Sequence, residues 1–504
     1  MKYLSIIALS ILLIGFSACE KFDEINTNPN TPSKVSSTIL FTKVVLGMAK
    51  YSGDAKQFIS QNALPKYVGY ANEGIMGSQY NSLGNTDFNS FTLLTNIDKM
   101  VEYSEGSNLE NSYRGLAKFA RAYIFYQATM KVGDIPYTQA GIADAGLQKP
   151  AYDLQEKVFE GILNELKEAD EYFATGKVFS GDPSTYNGDP EKWRRAVNSF
   201  ALKVLMALSE KEGETTIQVK NRFAQIVQEN NLLQSTADYF GLEYNSVNSY
   251  PLYSTNDMFT GRTLLSSLLV SNLNKLHDYR LFYFGEPASV EIKNNKEEDD
   301  STAYVGLDVS LEFEKMNAGH KDGAYSIINL RYQNEIIGEP RMLITYAEQQ
   351  LILAEASLKG WIGGAAKDYY EEGTRSALEP FKEINTDYAH GRVITQEYID
   401  NYFTGEAAFK TNKDEQLQQV WLQRYLLHFM QDPYESYYQY RRVKYPHFPI
   451  NPASSLNQNN KEAVPARWLY PTSETNFNRE NLIEALERQY EGFDEINKVM
   501  WLLK

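Results

Sequence analysis

One cysteine in 504 residues leaves no second thiol for a disulfide, so packing must hold this chain together. Positive charge is also scarce: net charge is −16 and no basic tract occurs, which makes phosphate backbones and anionic surfaces poor partners and excludes nucleic-acid binding. Past the first twenty residues no run reaches 18 consecutive apolar positions, so no later segment reads as a membrane-spanning helix. The five histidines (His277, His320, His390, His428, His447) are too far apart for a His-Glu-x-x-His zinc pair. There is no Gly-x-Ser-x-Gly elbow, no Gly-x-x-x-x-Gly-Lys phosphate loop and no Gly-x-Gly-x-x-Gly turn. Among 65 acidic residues a glycosidase pair would be invisible in sequence, so carbohydrate cleavage is unsupported rather than excluded. No catalytic residue, metal or cofactor is assigned.

What is present begins at the first residues. Lys2 precedes an apolar run over residues 3–14, too short to span a bilayer comfortably, and Gly15, Ser17 and Ala18 lead to the single Cys19. A cysteine at this point resembles the lipobox of bacterial lipoproteins, with Phe16 where an aliphatic residue is usual. The expected organisation is a signal peptide over 1–18, a lipidated polar tether over 19–35 carrying Pro29 and Pro32, and one domain over 36–504. Each buried acyl methylene on Cys19 would add about 0.8 kcal/mol of membrane affinity.

Hydrophobic residues make up 43% and charged residues 23%, the balance of a globular chain. Apolar positions at three- and four-residue spacing predict helices over 113–130, 154–173, 191–209 and 218–230. Asp153 with Glu156 reads as a capping box, and Asp189-Pro190 as a cap followed by a first-turn proline. Further helices are expected over 341–359, 364–377 and 414–430. Ala354, Ala356, Gly360, Ala365, Ala366 and Ala377 give the pair near 351–377 the close-approach pattern of a tetratricopeptide-type hairpin. The fold class is therefore mainly α: helical hairpins broken by long irregular insertions at 67–97, 174–190, 235–262, 282–340, 385–412 and 432–480. Short β signals lie at 304–311 and 326–330. The acidic stretch 294–300 reads as a solvated turn, with a cation site as the weaker alternative.

Several segments carry a family resemblance in order along the chain: Asn26-Thr27-Asn28-Pro29-Asn30, Ala120-Arg121-Ala122-Tyr123 with Val132-Gly133-Asp134-Ile135-Pro136-Tyr137, Thr345-Tyr346-Ala347-Glu348, Tyr440 to Pro446, and Pro465 to Pro471. Together they resemble the SusD/RagB family of outer-membrane lipoproteins. The resemblance implies a cell-surface protein that binds nutrient, most often oligosaccharide, and partners a SusC-like TonB-dependent transporter. Oligopeptide capture of the RagB type and a non-transport scaffolding role stay open as alternatives.

Sugars offer flat C–H faces and a rim of hydroxyls, so a binding surface needs aromatic rings beside amides and charges. Aromatics reach 13% of this chain, with 36 tyrosines, and two insertions concentrate them among Asn, Asp and Gly. Tyr80, Asn81 and Asp87 from the first, and Tyr244, Asn245 and Tyr253 from the second, are the expected ligand contacts. Arg441, Arg442 and Arg467 are read as structural.

Overall fold

The computed structural model describes residues 36–504 apart from 73, 143–145, 214 and 255–257. Cys19, the expected signal peptide and the tether lie outside the described residues. Helices α1 (Ser37–Ala49) and α2 (Ala55–Ala63) open the chain, capped by Ser36, which accepts from Ile39 N, and Asp54, which accepts from Gln57 N. Strand β1 (Val68–Tyr70) follows, then α3 (Leu93–Glu102), α4 (Glu110–Val132), α5 (Gln155–Ala174), α6 (Pro190–Ala207) and α7 (Val219–Glu229). The second half carries β2 (Phe240–Leu242), β3 (Thr263–Leu265), α8 (Ser267–Leu276), β4 (Arg341–Ile344), α9 (Tyr346–Leu358), α10 (Ala366–Leu378), α11 (Lys413–Leu427), α12 (Pro433–Val443) and α13 (Arg479–Tyr490). The protein is mainly α.

Helical hairpins form the scaffold as the periodicity predicts: α4 packs on α5, α6 on α7, and α9 on α10. Gly360, at φ +72°, ends α9 and opens the hairpin turn in the left-handed region that a Cβ disfavours. At Gly373 on α10 a Cβ would lie 3.0 Å from the Ala347 carbonyl, so glycine lets the two helices close. Of the predicted small-residue set, Ala354, Ala356 and Ala377 are buried, whereas Ala365 and Gly360 are exposed.

Two local expectations are corrected. Asp153 does not cap α5, which begins after Leu154. Its carboxylate instead accepts from Tyr137 N at 3.1 Å and Thr138 N at 2.8 Å, while Asp134 Oδ1 serves the first helical amide, Gln155 N. Residues 341–344 are strand rather than the start of a helix, because they pair antiparallel with β2; α9 starts after Thr345, whose hydroxyl accepts from Glu348 N. The β signals at 304–311 and 326–330 yield only isolated bridges, to Ser266, Leu264 and Gly285.

Two small antiparallel pairings, β1 with β3 and β2 with β4, tie the aromatic insertions back onto the scaffold. The insertions also pack with scaffold residues into a second core, in which Phe58 of α2, Tyr67, Tyr250, Phe284, Tyr332 and Phe429, just past α11, are buried. Stretches that read as irregular are therefore packed. The 432–480 stretch contains α12, whose start at Asp432-Pro433 places proline at the first turn.

Candidate glycan-binding cleft

A cleft of about 220 Å³ opens where five elements end close together. Tyr51 stands just past α1, Gln61 on α2, Gln127 and Lys131 on the last turns of α4, Arg341 at the start of β4, and Tyr434 at the start of α12. The β2–β4 pairing sets Tyr244 beside Arg341: Leu242, the last residue of β2, pairs with Arg341, and residue 244 lies two positions further on.

The rings are half-exposed or sit at the cleft wall. Tyr51 packs edge-on to Phe58 at 5.3 Å, Tyr244 edge-on to Tyr250 at 5.4 Å, and Tyr434 edge-on to Trp468 at 5.5 Å. The Arg341 guanidinium lies 5.7 Å from the Tyr51 ring centre, and Lys131 Nζ lies 5.4 Å from that of Tyr434. Arg341 Nε is buried without a hydrogen-bond partner, a donor held ready for an acceptor. Burial pushes the Tyr434 hydroxyl up to about 12, with the Gln61 hydrogen bond opposing the shift and Asp432 adding to it. Burial likewise raises Tyr51 and Tyr244, so at neutral pH all three hydroxyls stay protonated; that of Tyr51 donates to the Asp54 carbonyl at 3.1 Å. Lys131 is lowered by burial, opposed by the Asp87 carboxylate.

Asp87 stands at the junction of this cleft and an open groove of about 350 Å³. Phe88 and Phe91 line the groove, stacked at 4.8 Å and 8°, together with Gln139 and Glu474. Cleft and groove thus make one aromatic and polar track.

Of the six predicted contacts, the structure brings Asp87 and Tyr244 into this track. Tyr80 and Asn81 lie elsewhere: the Tyr80 hydroxyl donates to the Leu311 carbonyl at 2.9 Å, and Asn81 Oδ1 accepts from buried Lys66 at 2.8 Å. Neither lines the cleft or the groove, whereas Tyr244, as buried as they are at 5% exposed, forms part of the cleft wall. Asn245 is exposed but closes its own turn, accepting from Val247 N and Asn248 N. Tyr253 is half-buried against the second core. Tyr51, Gln61, Lys131, Arg341 and Tyr434 escaped the sequence reading because no pattern marks a helix end as a shared surface. The arginines read as structural are structural. Arg441 donates to the Met130 and Ala466 carbonyls, Arg442 pairs with Glu355 at 2.5 Å, and Arg467 pairs with Asp494 at 2.5 Å.

Residues 29–471 match the SusD-like family described as "starch-binding associating with outer membrane". The chain belongs to the SusD-like family. A SusD homolog from Bacteroides fragilis is 39% identical, with TM-score 0.89 over 93% of this chain and all of that one. A second SusD homolog from the same species is 33% identical, with TM-score 0.82 over 94% of this chain and all of that one. A SusD homolog from Flavobacterium johnsoniae described as chitin-binding shares the fold at TM-score 0.72 and 18% identity, over 93% of this chain and 98% of that one. A comparison with curated proteins returned no match. Among the described residues of this SusD-like chain, no helix is long and apolar enough to cross a membrane, and no cluster of metal-ligating side chains occurs.

Proposed function

We propose that this SusD-like protein captures oligosaccharide at the cell surface, in the track running from Tyr51 to Glu474, and delivers it to a SusC-like TonB-dependent transporter. The observation that carries the reading is the convergence of Tyr51, Tyr244 and Tyr434 around Arg341 and Lys131, rings for sugar faces beside donors for hydroxyls. Size supports the same mode. A pocket that engulfs a small ligand has roughly 300–1,000 Å³, so a cleft of about 220 Å³ grips one end of a longer chain that continues along the groove past Asp87. The family description as starch-binding, and the chitin-binding relative, point to glucan or amino-sugar polymers as first ligands to try.

Titration calorimetry with maltooligosaccharides, chitooligosaccharides and a peptide mixture tests this. Glycan binding is expected, and Tyr51→Ala should weaken it about tenfold, equivalent to about 1.4 kcal/mol, with the thermal midpoint little changed. Binding of peptides alone would move the reading to oligopeptide capture. Co-purification of a β-barrel transporter with the full-length protein is expected, and its absence would favour a scaffolding role.

A further inference from the structure

Glu339, Pro340 and Gln431 wall one side of the cleft, and the same three residues line a second cavity of about 390 Å³. Gln431 Nε2 donates to Glu339 Oε2 at 2.5 Å and its Oε1 accepts from Met342 N at 3.1 Å, which braces the partition. The two cavities differ in chemistry. The second is walled by Phe284, Phe381, Phe429, Tyr346 and Tyr388, and its volume falls in the roughly 300–1,000 Å³ range of small-molecule pockets.

Its accessible lining is mostly apolar, and two arginines stand in the wall. Arg280, 1% exposed, is part of the wall. Nε donates to both oxygens of Asp278 at 3.0 and 3.1 Å, and Nη2 donates to Asp278 Oδ2 at 2.6 Å and Gln423 Oε1 at 2.8 Å. Nη1 is left buried with no acceptor. A buried donor in that state costs about 1–3 kcal/mol, which an oxygen from a ligand would offset. The free donor carries little net charge with it, because Asp278 neutralises the guanidinium. The other arginine in the wall, Arg331, is already engaged by Glu339, the Tyr332 hydroxyl and the Tyr283 carbonyl. At the rim, Glu335 and Glu383 are exposed carboxylates. An anion would meet repulsion on entry and no unpaired cation inside.

We infer that this cavity is a second binding site, separate from the glycan cleft, for a neutral molecule with a flat aromatic ring and a carbonyl oxygen. The ring packs among the phenylalanine and tyrosine side chains, and the carbonyl accepts from Arg280 Nη1. Methyl ferulate, a neutral methyl ester conjugated to an aromatic ring, and ferulate, the corresponding carboxylate, are the probes, titrated into the full chain by calorimetry. The ester is expected to saturate one site per chain, and ferulate to bind about tenfold more weakly or worse. Ile384→Trp, which fills the cavity from a half-buried position in its wall, should cost at least about tenfold in ester affinity. Arg280→Lys removes Nη1 and should weaken the ester; if that variant does not fold, Ile384→Trp decides. Tyr51→Ala should leave ester binding unchanged while weakening glycan, so the two sites succeed or fail separately. Absence of saturable ester binding, equal affinity for ferulate, or full ester affinity in Ile384→Trp would overturn the proposal.

Discussion

Lys66 is a lysine with almost no exposure, and its hydrogen bonds run to neutral groups. Its Nζ donates to the Gln79 carbonyl at 2.6 Å and to Asn81 Oδ1 at 2.8 Å, pinning the turn that carries Tyr80. Burial pushes the amine down to about 7 from an ordinary 10.5. Between those values the unfolded chain holds a proton that the folded one lacks, so this residue makes stability rise with pH across that window. Lys66→Met should flatten the rise; denaturant titrations at several pH values check it. Tyr80 beside it is core. Tyr80→Ala should cost about 3–5 kcal/mol, as large aromatic truncations do, and leave the glycan affinity of the folded protein unchanged. A calorimetric titration of that variant with a bound oligosaccharide distinguishes it from Tyr51→Ala.

Helices α6, α9, α11 and α12 meet around charges rather than only around apolar stripes. Glu348 on α9 pairs with Lys203 at 2.7 Å, Arg424 at 3.0 Å and His428 at 3.2 Å, and Glu355, about two turns further on, pairs with Arg442 and Arg424. All are buried apart from Arg442, which is half-buried. Burial alone would raise the Glu348 carboxyl; Lys203, His428 and Arg424 overcome it and hold the group well below the usual range. Its contribution is therefore complete above the ordinary carboxylate value of 4.5 and is lost as pH falls toward the folded-state value. Glu348→Gln should cost about 3–5 kcal/mol at neutral pH, because it leaves buried cations uncompensated. The penalty should shrink in acid, which thermal melts over a pH series would show. Periodicity in the sequence finds α9 and α11 as helices but is blind to this network. Lys203 and Glu348 are 145 residues apart, and each looks like an ordinary helical charge until the helices are packed.

For the molecule as a whole, the charge of −16 and the family's outer-membrane association bear on where the protein works. Cys19 is the proposed attachment point, placing the track at a membrane surface without a spanning helix. Cys19→Ala should move the protein from the membrane to the soluble fraction with glycan affinity intact, as fractionation followed by titration would show. A mutant that stays on the membrane would contradict the anchor.

The helical scaffold was legible in the chain alone, because a 3.6-residue apolar period, Asp189-Pro190 and Gly360 are local signals that need no partner. The family was legible too, through ordered segments in which Arg441 and Tyr470 donate to the Met130 and Asp134 carbonyls at the end of α4. Which tyrosines reach the cleft was not, and it took the packed fold to sort them. A tyrosine suits a core and a ligand surface equally well, and Tyr80 and Tyr244 sit in insertions of like composition. What separates them is non-local: Tyr80 reaches the Leu311 carbonyl, 231 residues away, whereas the β2–β4 pairing carries Tyr244 to Arg341.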